Sequence, residues 1–313
     1  MLTGAADTAI YYDIMQRRVL LFSPEGRPVR TAALGGTDPM SMLSMPQPRG
    51  VDAAGRLYGQ TMGMRMPAGG MPTPDQTLFG DSVVVVRHDL RTGHTDTITT
   101  ITSMMAQSQP RMEMTGGAIR MTLTAPDFRA NDSWAVMPDG RVALLRNGDY
   151  RVRFLSANGT GTLGPPVPHT LIPLTPEMQR ATMDSIRKAI PTALGATNRA
   201  MSEAGARAGG ALPAMPRIEM DVKEPERWAS HLPPYNGILA SPDGLLWVAV
   251  SDGNGAGHTD VLDGAGRLLA RVRLASGESL AGLGRGTVYT TRKDEDDLRY
   301  LRRYTLPAPL TRR

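Results

Sequence analysis

The chain has no cysteine. That excludes a disulfide framework, thiolate metal sites, iron–sulfur clusters and a cysteine nucleophile, and it leaves the compartment open. Aromatic residues make up only 5% of the sequence. No run of about 18 apolar residues occurs, so no membrane span is expected. The N-terminus has no charged-then-apolar leader that reads as a signal peptide. Lysine is nearly missing: of 35 basic residues, only Lys188, Lys223 and Lys293 are lysine. The net charge is +5, but the arginines are scattered beside turn glycines and along strand-like stretches. Nucleic acid, which asks for a basic stripe with interleaved aromatics, is therefore not an expected partner. Catalytic signatures are missing too, with no Gly-x-Ser-x-Gly elbow, no His-Glu-x-x-His and no phosphate loop.

What is present is a folded, turn-rich chain. Its 313 residues are 41% hydrophobic and 21% charged, a globular balance that rules out disorder. With 34 glycines and 25 prolines, turns are frequent and the composition argues against an all-α bundle. One turn recurs. Ser23-Pro24-Glu25-Gly26-Arg27, Asp52-Ala53-Ala54-Gly55-Arg56, Pro138-Asp139-Gly140-Arg141, Ala157-Asn158-Gly159-Thr160, Pro242-Asp243-Gly244-Leu245 and Asp263-Gly264-Ala265-Gly266-Arg267 are variants of it. Each has an acidic or amide residue that can bond its own backbone, then a glycine that accepts positive φ. After each glycine the residues become β-like, as in Arg141–Arg146 and Leu245–Val250.

The spacing of these turns adds a second period. Gly140 to Gly159 is 19 residues, Gly244 to Gly266 is 22, and both Gly55 to Gly140 and Gly159 to Gly244 are 85. A short step followed by a long one is what a four-stranded antiparallel unit gives when its first and third hairpin turns carry the glycine. The clearest unit runs from Asn236 to Ser276, a second from Phe128 to Pro168, and a looser one from Gly50 to Thr102. Residues 7–34 supply three strands with no inner strand before them, and 278–306 about three. Thr175-Pro176-Glu177 is a helix start, and Met178, Ala181, Ile186, Ile190 and Ala193 lie at helical spacing, with Pro191 expected to bend or stop the helix. Residues 175–215 are thus predicted to be a helical insertion between blades of one domain spanning 1–313.

Pro138-Asp139-Gly140-Arg141-Val142-Ala143, Asp149-Tyr150-Arg151-Val152, Ser241–Val248 and Leu262–Arg267 together resemble the bacterial six-bladed β-propellers of the NHL-type and gluconolactonase-like group. The resemblance implies an all-β fold, a β-propeller of four-stranded antiparallel blades, with about five of six blades in these residues. It also implies that a blade, and with it a secretion signal, lies upstream, and hence a periplasmic or secreted location.

Candidate chemistry is sparse. His88, His94, His169, His231 and His258 do not pair at ligand spacing. His88-Asp89 and His258-Thr259-Asp260 are set aside as base and orienter pairs because neighbouring strand positions face opposite ways. Asp252–His258 reads as a hairpin loop, since it offers too few oxygens for calcium and precedes a strand. Met62-x-Met64-x-Met66 reads as packing rather than a copper site. Ligands of propellers bind where inner strands begin. Arg49, Asn131, Asp132, Tyr235 and Asn236 are the ligand-binding candidates there. The resemblance to lactonase-like propellers implies an alternative in which Asn131, Asp132, Asn236 and Glu278 hold a divalent ion, calcium or zinc. The first expectation is a non-enzymatic, monomeric, extracytoplasmic propeller that needs no cofactor and binds a small molecule, peptide or protein at its channel face. The alternative is a metal-dependent hydrolase or lyase.

Overall fold

A computed structural model describes residues 2–3, 9–13, 16, 18–23, 25–33, 47–61, 80–102, 108, 111–115, 118–146, 148–207, 217–252, 257–296, 298–307 and 310. The first blade is β1 (Leu2–Thr3), β2 (Ala9–Asp13), β3 (Arg18–Phe22) and β4 (Pro28–Ala33). The second is β5 (Gln47–Val51), β6 (Leu57–Gln60), β7 (Ser82–His88) and β8 (Thr95–Thr102). An excursion, β9 (Arg111–Thr115) and β10 (Ala118–Thr124), precedes the third blade. That blade is β11 (Ser133–Val136), β12 (Val142–Arg146), β13 (Asp149–Leu155) and β14 (Gly161–Leu163). A second excursion follows, helix α1 (Pro176–Arg207) and β15 (Arg217–Lys223). The fourth blade is β16 (Gly237–Ala240), β17 (Leu246–Val250), β18 (His258–Leu262) and β19 (Leu268–Val272). The fifth is β20 (Glu278–Gly284), β21 (Thr287–Lys293) and β22 (Arg299–Thr305).

Each blade is an antiparallel meander, four-stranded in the first four and three-stranded among the described residues of the fifth. The inner strands β1, β5, β11 and β16 lie side by side in that order. The result is an all-β propeller of five described blades with one long helix, as the repeated turns require. One expectation is corrected, because a short inner strand, β1, pairs with β2 ahead of residues 7–34.

All six glycine turns adopt one geometry. The glycine amide donates to the carbonyl three residues back, and the flanking amide and carbonyl close the hairpin, as in Gly266 to Asp263 and Asp263 to Arg267. Gly140 and Gly266 sit at φ 84° and 81°, in the left-handed region where a Cβ is strained. Asp52 and Asp263 finish their turns identically. Each carboxylate takes the amides two and four residues on, and its second oxygen takes the guanidinium of Arg56 or Arg267 at 2.7 Å. Many arginines are therefore turn braces.

Apolar faces of adjacent blades close on one another. Tyr58, Val85, Trp134 and Leu144 fill the space between the second and third blades, and Val152, Phe154, Leu246, Val248 and Leu262 that between the third and fourth. Trp247 packs with Val261 and Val288 between the fourth and fifth. Both tryptophans pack between blades, Trp134 from an inner strand and Trp247 from a second strand.

The excursions meet. β15 pairs in parallel with β10, which pairs antiparallel with β9, and Met183, Ile186 and Ile190 of α1 pack on Ala125 and Val222. Pro191 does not stop the helix, which runs on to Arg207. One missing N–H is tolerated there because the surrounding helix is largely exposed and water reaches the freed carbonyl. No described helix is long and apolar enough to cross a membrane.

Candidate functional site

In an antiparallel meander the hairpins between first and second and between third and fourth strands share one rim. The inner strands therefore begin at the opposite rim, here called the upper face. Both excursions leave and return there, as does the loop that leads into His258.

The expected ligand residues divide. Arg49 lies within β5 rather than before it, and its guanidinium sits 5.9 Å from the Trp134 ring centroid. Asp132 is buried and ties the second blade to the third, accepting from Thr102 N at 2.9 Å and facing Arg146 Nε at 3.4 Å. Asn131 Oδ1 is buried without a hydrogen-bond partner among the described residues. Tyr235 is buried, its hydroxyl taking the Gly148 amide at 3.2 Å. Burial pushes the Tyr235 phenol up to about 12, with the nearby charges of Asp132 and Asp149 adding to the rise. Asn236 is exposed, and its backbone amide bonds Ala249 O. Glu278, in the fifth blade, accepts from Arg302 Nη1 at 2.7 Å and Tyr304 Oη at 3.0 Å. Asp132 and Tyr235 thus come together at the upper face, while Glu278 is held within its own blade.

As a cation site the set Asn131, Asp132, Asn236 and Glu278 fits poorly. Each of its two carboxylates already faces an arginine. No three acidic or histidine side chains converge among the described residues. The methionine run Met62, Met64 and Met66 lies outside those residues, as do 253–256 of the hairpin loop.

A different constellation forms beside Tyr235. His258 and Asp260 are two apart on β18 and so share a face, which corrects the sequence reading that set this pair aside. His258 Nε2 lies 3.2 Å from Asp260 Oδ1. Pairing places Arg271 of β19 directly opposite Asp260, and its Nε donates to the same oxygen at 3.1 Å. Tyr150 donates its hydroxyl to Asp260 Oδ2 at 2.9 Å, and burial, then the Asp260 charge, raises the phenol above its ordinary value. His169 stands edge-on to Tyr150 at 5.6 Å, and Tyr235 is tilted against it at 5.9 Å.

The Asp260 side chain retains 1% of its exposure and that of His258 18%. A buried carboxylate close to Nε2 favours the Nε2–H tautomer, which leaves Nδ1 as a lone pair. Such a unit can take a proton from a group brought to the upper face, with Asp260 stabilising the imidazolium that forms. The signal in sequence was the His-x-Asp spacing on a strand.

No protein-family model matches the chain, and no curated protein is similar to it. Among solved structures it is similar to a gluconolactonase from Xanthomonas campestris, at 12% identity and TM-score 0.40, over 93% of this chain and 67% of that one. It is similar to the virginiamycin B lyase of Staphylococcus aureus, at 9% and 0.34, over 97% and 82%. It is also similar to a luciferin-regenerating enzyme, at 11% and 0.39, over 98% and 76%.

Proposed function

We propose that this protein is a propeller enzyme of the hydrolase or lyase class, acting at the upper face with His258 as general base and Asp260 as the residue that positions it. The observation that carries the reading is the 3.2 Å contact between His258 Nε2 and the buried Asp260 carboxylate. A positioned base of this kind contributes about 10²- to 10⁴-fold to a rate. The test is a screen of lactones, esters and lyase substrates with the wild-type chain and His258→Ala. Turnover by the wild type that falls at least about a hundredfold in the variant supports the reading. Turnover equal in both removes His258 as the base, and none in either returns the chain to a non-enzymatic binding role at the same face.

A second reading adds a divalent ion, calcium or zinc, at Asn131, Asp132, Asn236 and Glu278. It is favoured by one observation, the unpartnered buried oxygen of Asn131. Thermal-shift titration with Ca²⁺ and Zn²⁺ tests it, and a stabilisation lost in Asn131→Ala supports it. The six-bladed type and an extracytoplasmic location are part of the same proposal. Exposed Tyr300, Leu301 and Tyr304 of β22, with Tyr11 and Val29 of the first blade, are surfaces that a further blade would cover.

A further inference from the structure

The two excursions enclose a cleft of about 680 Å³ between the β9–β10–β15 sheet and the connection that follows β15. That volume lies in the range of small-ligand sites. Strand register builds one wall. Arg111 stands opposite Thr122 and Lys223 opposite Thr124, and Thr122 and Thr124 are two apart on β10, so all four project from the same face. Arg227 and Trp228 form the facing side.

The charges do not cancel internally. Asp127 is buried and spent on Arg129, whose amide and Nε it accepts. That leaves the cations Arg111, Lys223 and Arg227 against the exposed carboxylates Glu224 and Glu226. None of the three cations has an ion pair among the described residues. Local backbone is bent to hold the aromatic side, since Phe128 sits at φ 64° and stacks on Trp228 at 6.0 Å. A non-glycine residue in that region is held at a cost, and such residues gather at ligand clamps. Trp228 keeps part of its surface exposed beside the arginines.

We infer that this cleft is a binding site for a small organic oxyanion, its carboxylate or phosphate held by Arg111, Lys223 and Arg227 and a planar apolar part resting on Trp228. Guanidinium groups suit such oxyanions through paired, charge-assisted hydrogen bonds. The inference does not rest on the general-base reading, because none of these residues touches His258.

Indole N–H resonances give a residue-specific readout, since the chain has three tryptophans and Trp228→Phe identifies the relevant one. Benzoate and phenyl phosphate are titrated separately, with benzyl alcohol as the neutral comparison. The expected result is a saturable shift of the Trp228 resonance with at least one anion, and the preferred anion tells carboxylate from phosphate. Benzyl alcohol should bind at least about tenfold more weakly, and Arg111→Ala/Arg227→Ala should raise Kd about tenfold or more. Lys223→Gln, a single change at an exposed strand end, gives the same test if the double variant does not fold. Saturable binding that persists in His258→Ala shows the site to be independent of the other. No saturable shift with either anion, equal binding of benzyl alcohol, or unchanged Kd in the folded variants would overturn the inference.

Discussion

The third and fourth blades and the inserted β9–β10–β15 sheet with α1 solve the same problem differently. Between the blades, Val152, Leu246, Val248 and Leu262 are fully buried, and each blade closes with a turn that repeats the same hydrogen bonds. The insertion has a thinner core of Ala125, Met183 and Val222, with Ile186, Ile190 and Trp228 half-covered. Repetition holds the scaffold. The insertion is held to itself by one parallel strand pair and one helix face, and it gathers Arg111, Lys223 and Arg227 around one cleft. In the blades Arg56 and Arg267 brace turns and Arg271 faces a buried carboxylate.

The contrast can be broken most strongly at Leu246, which is completely buried. Leu246→Ala should cost about 2–5 kcal/mol, read as a lowered urea midpoint for the whole molecule. Ile186→Ala, in α1, should lower it far less. A smaller effect separates two glycine turns. A Cβ at Gly140 would lie 2.9 Å from Asp52 Oδ2 and Arg56 Nη2, whereas at Gly159 it meets nothing within 4 Å. Both substitutions to alanine carry the cost of positive φ, about 1 kcal/mol, and Gly140→Ala should exceed Gly159→Ala in the same unfolding measurement.

Opposite in sign is Pro191→Ala, which should stabilise α1 by up to about 3 kcal/mol. Amide exchange should slow in the helix while the blade strands keep their protection. The smallest concerns acid. Arg87, through its hydrogen bond, holds the Asp96 carboxyl below its ordinary value. The stability this contributes is present above the ordinary carboxyl pKa of about 3.9 and is lost as pH falls through the lowered folded value. Asp96→Asn should therefore lower stability slightly at pH 7, where the contribution is fully present, and flatten the loss of stability below about pH 4.

The blades were legible because a turn built on Asp-x-x-Gly-Arg is a local event, written in five consecutive residues at Asp52 and again at Asp263. The insertion was only half legible. Helix α1 shows in spacing, but the β10–β15 pair joins residues such as Arg120 and Glu219, 99 positions apart, and no local pattern announces it. Pro191 misled because its cost depends on whether the freed carbonyl can be solvated, which is a property of the surface. The upper-face residues Asp132 and Tyr235 were found from their place before inner strands, while the partners that occupy them, Thr102, Arg146 and Gly148, come from other strands and loops. His258 and Asp260 were in plain sight, two apart on a strand, and were lost by treating them as neighbours.

The most direct test of His258 as a base held by Asp260 is the tautomer of its ring, read from ¹⁵N shifts of the imidazole across a pH titration. The account expects a neutral form protonated at Nε2, with Nδ1 bare, and loss of that preference in Asp260→Ala. A neutral ring protonated at Nδ1, or a tautomer ratio indifferent to Asp260, would contradict it.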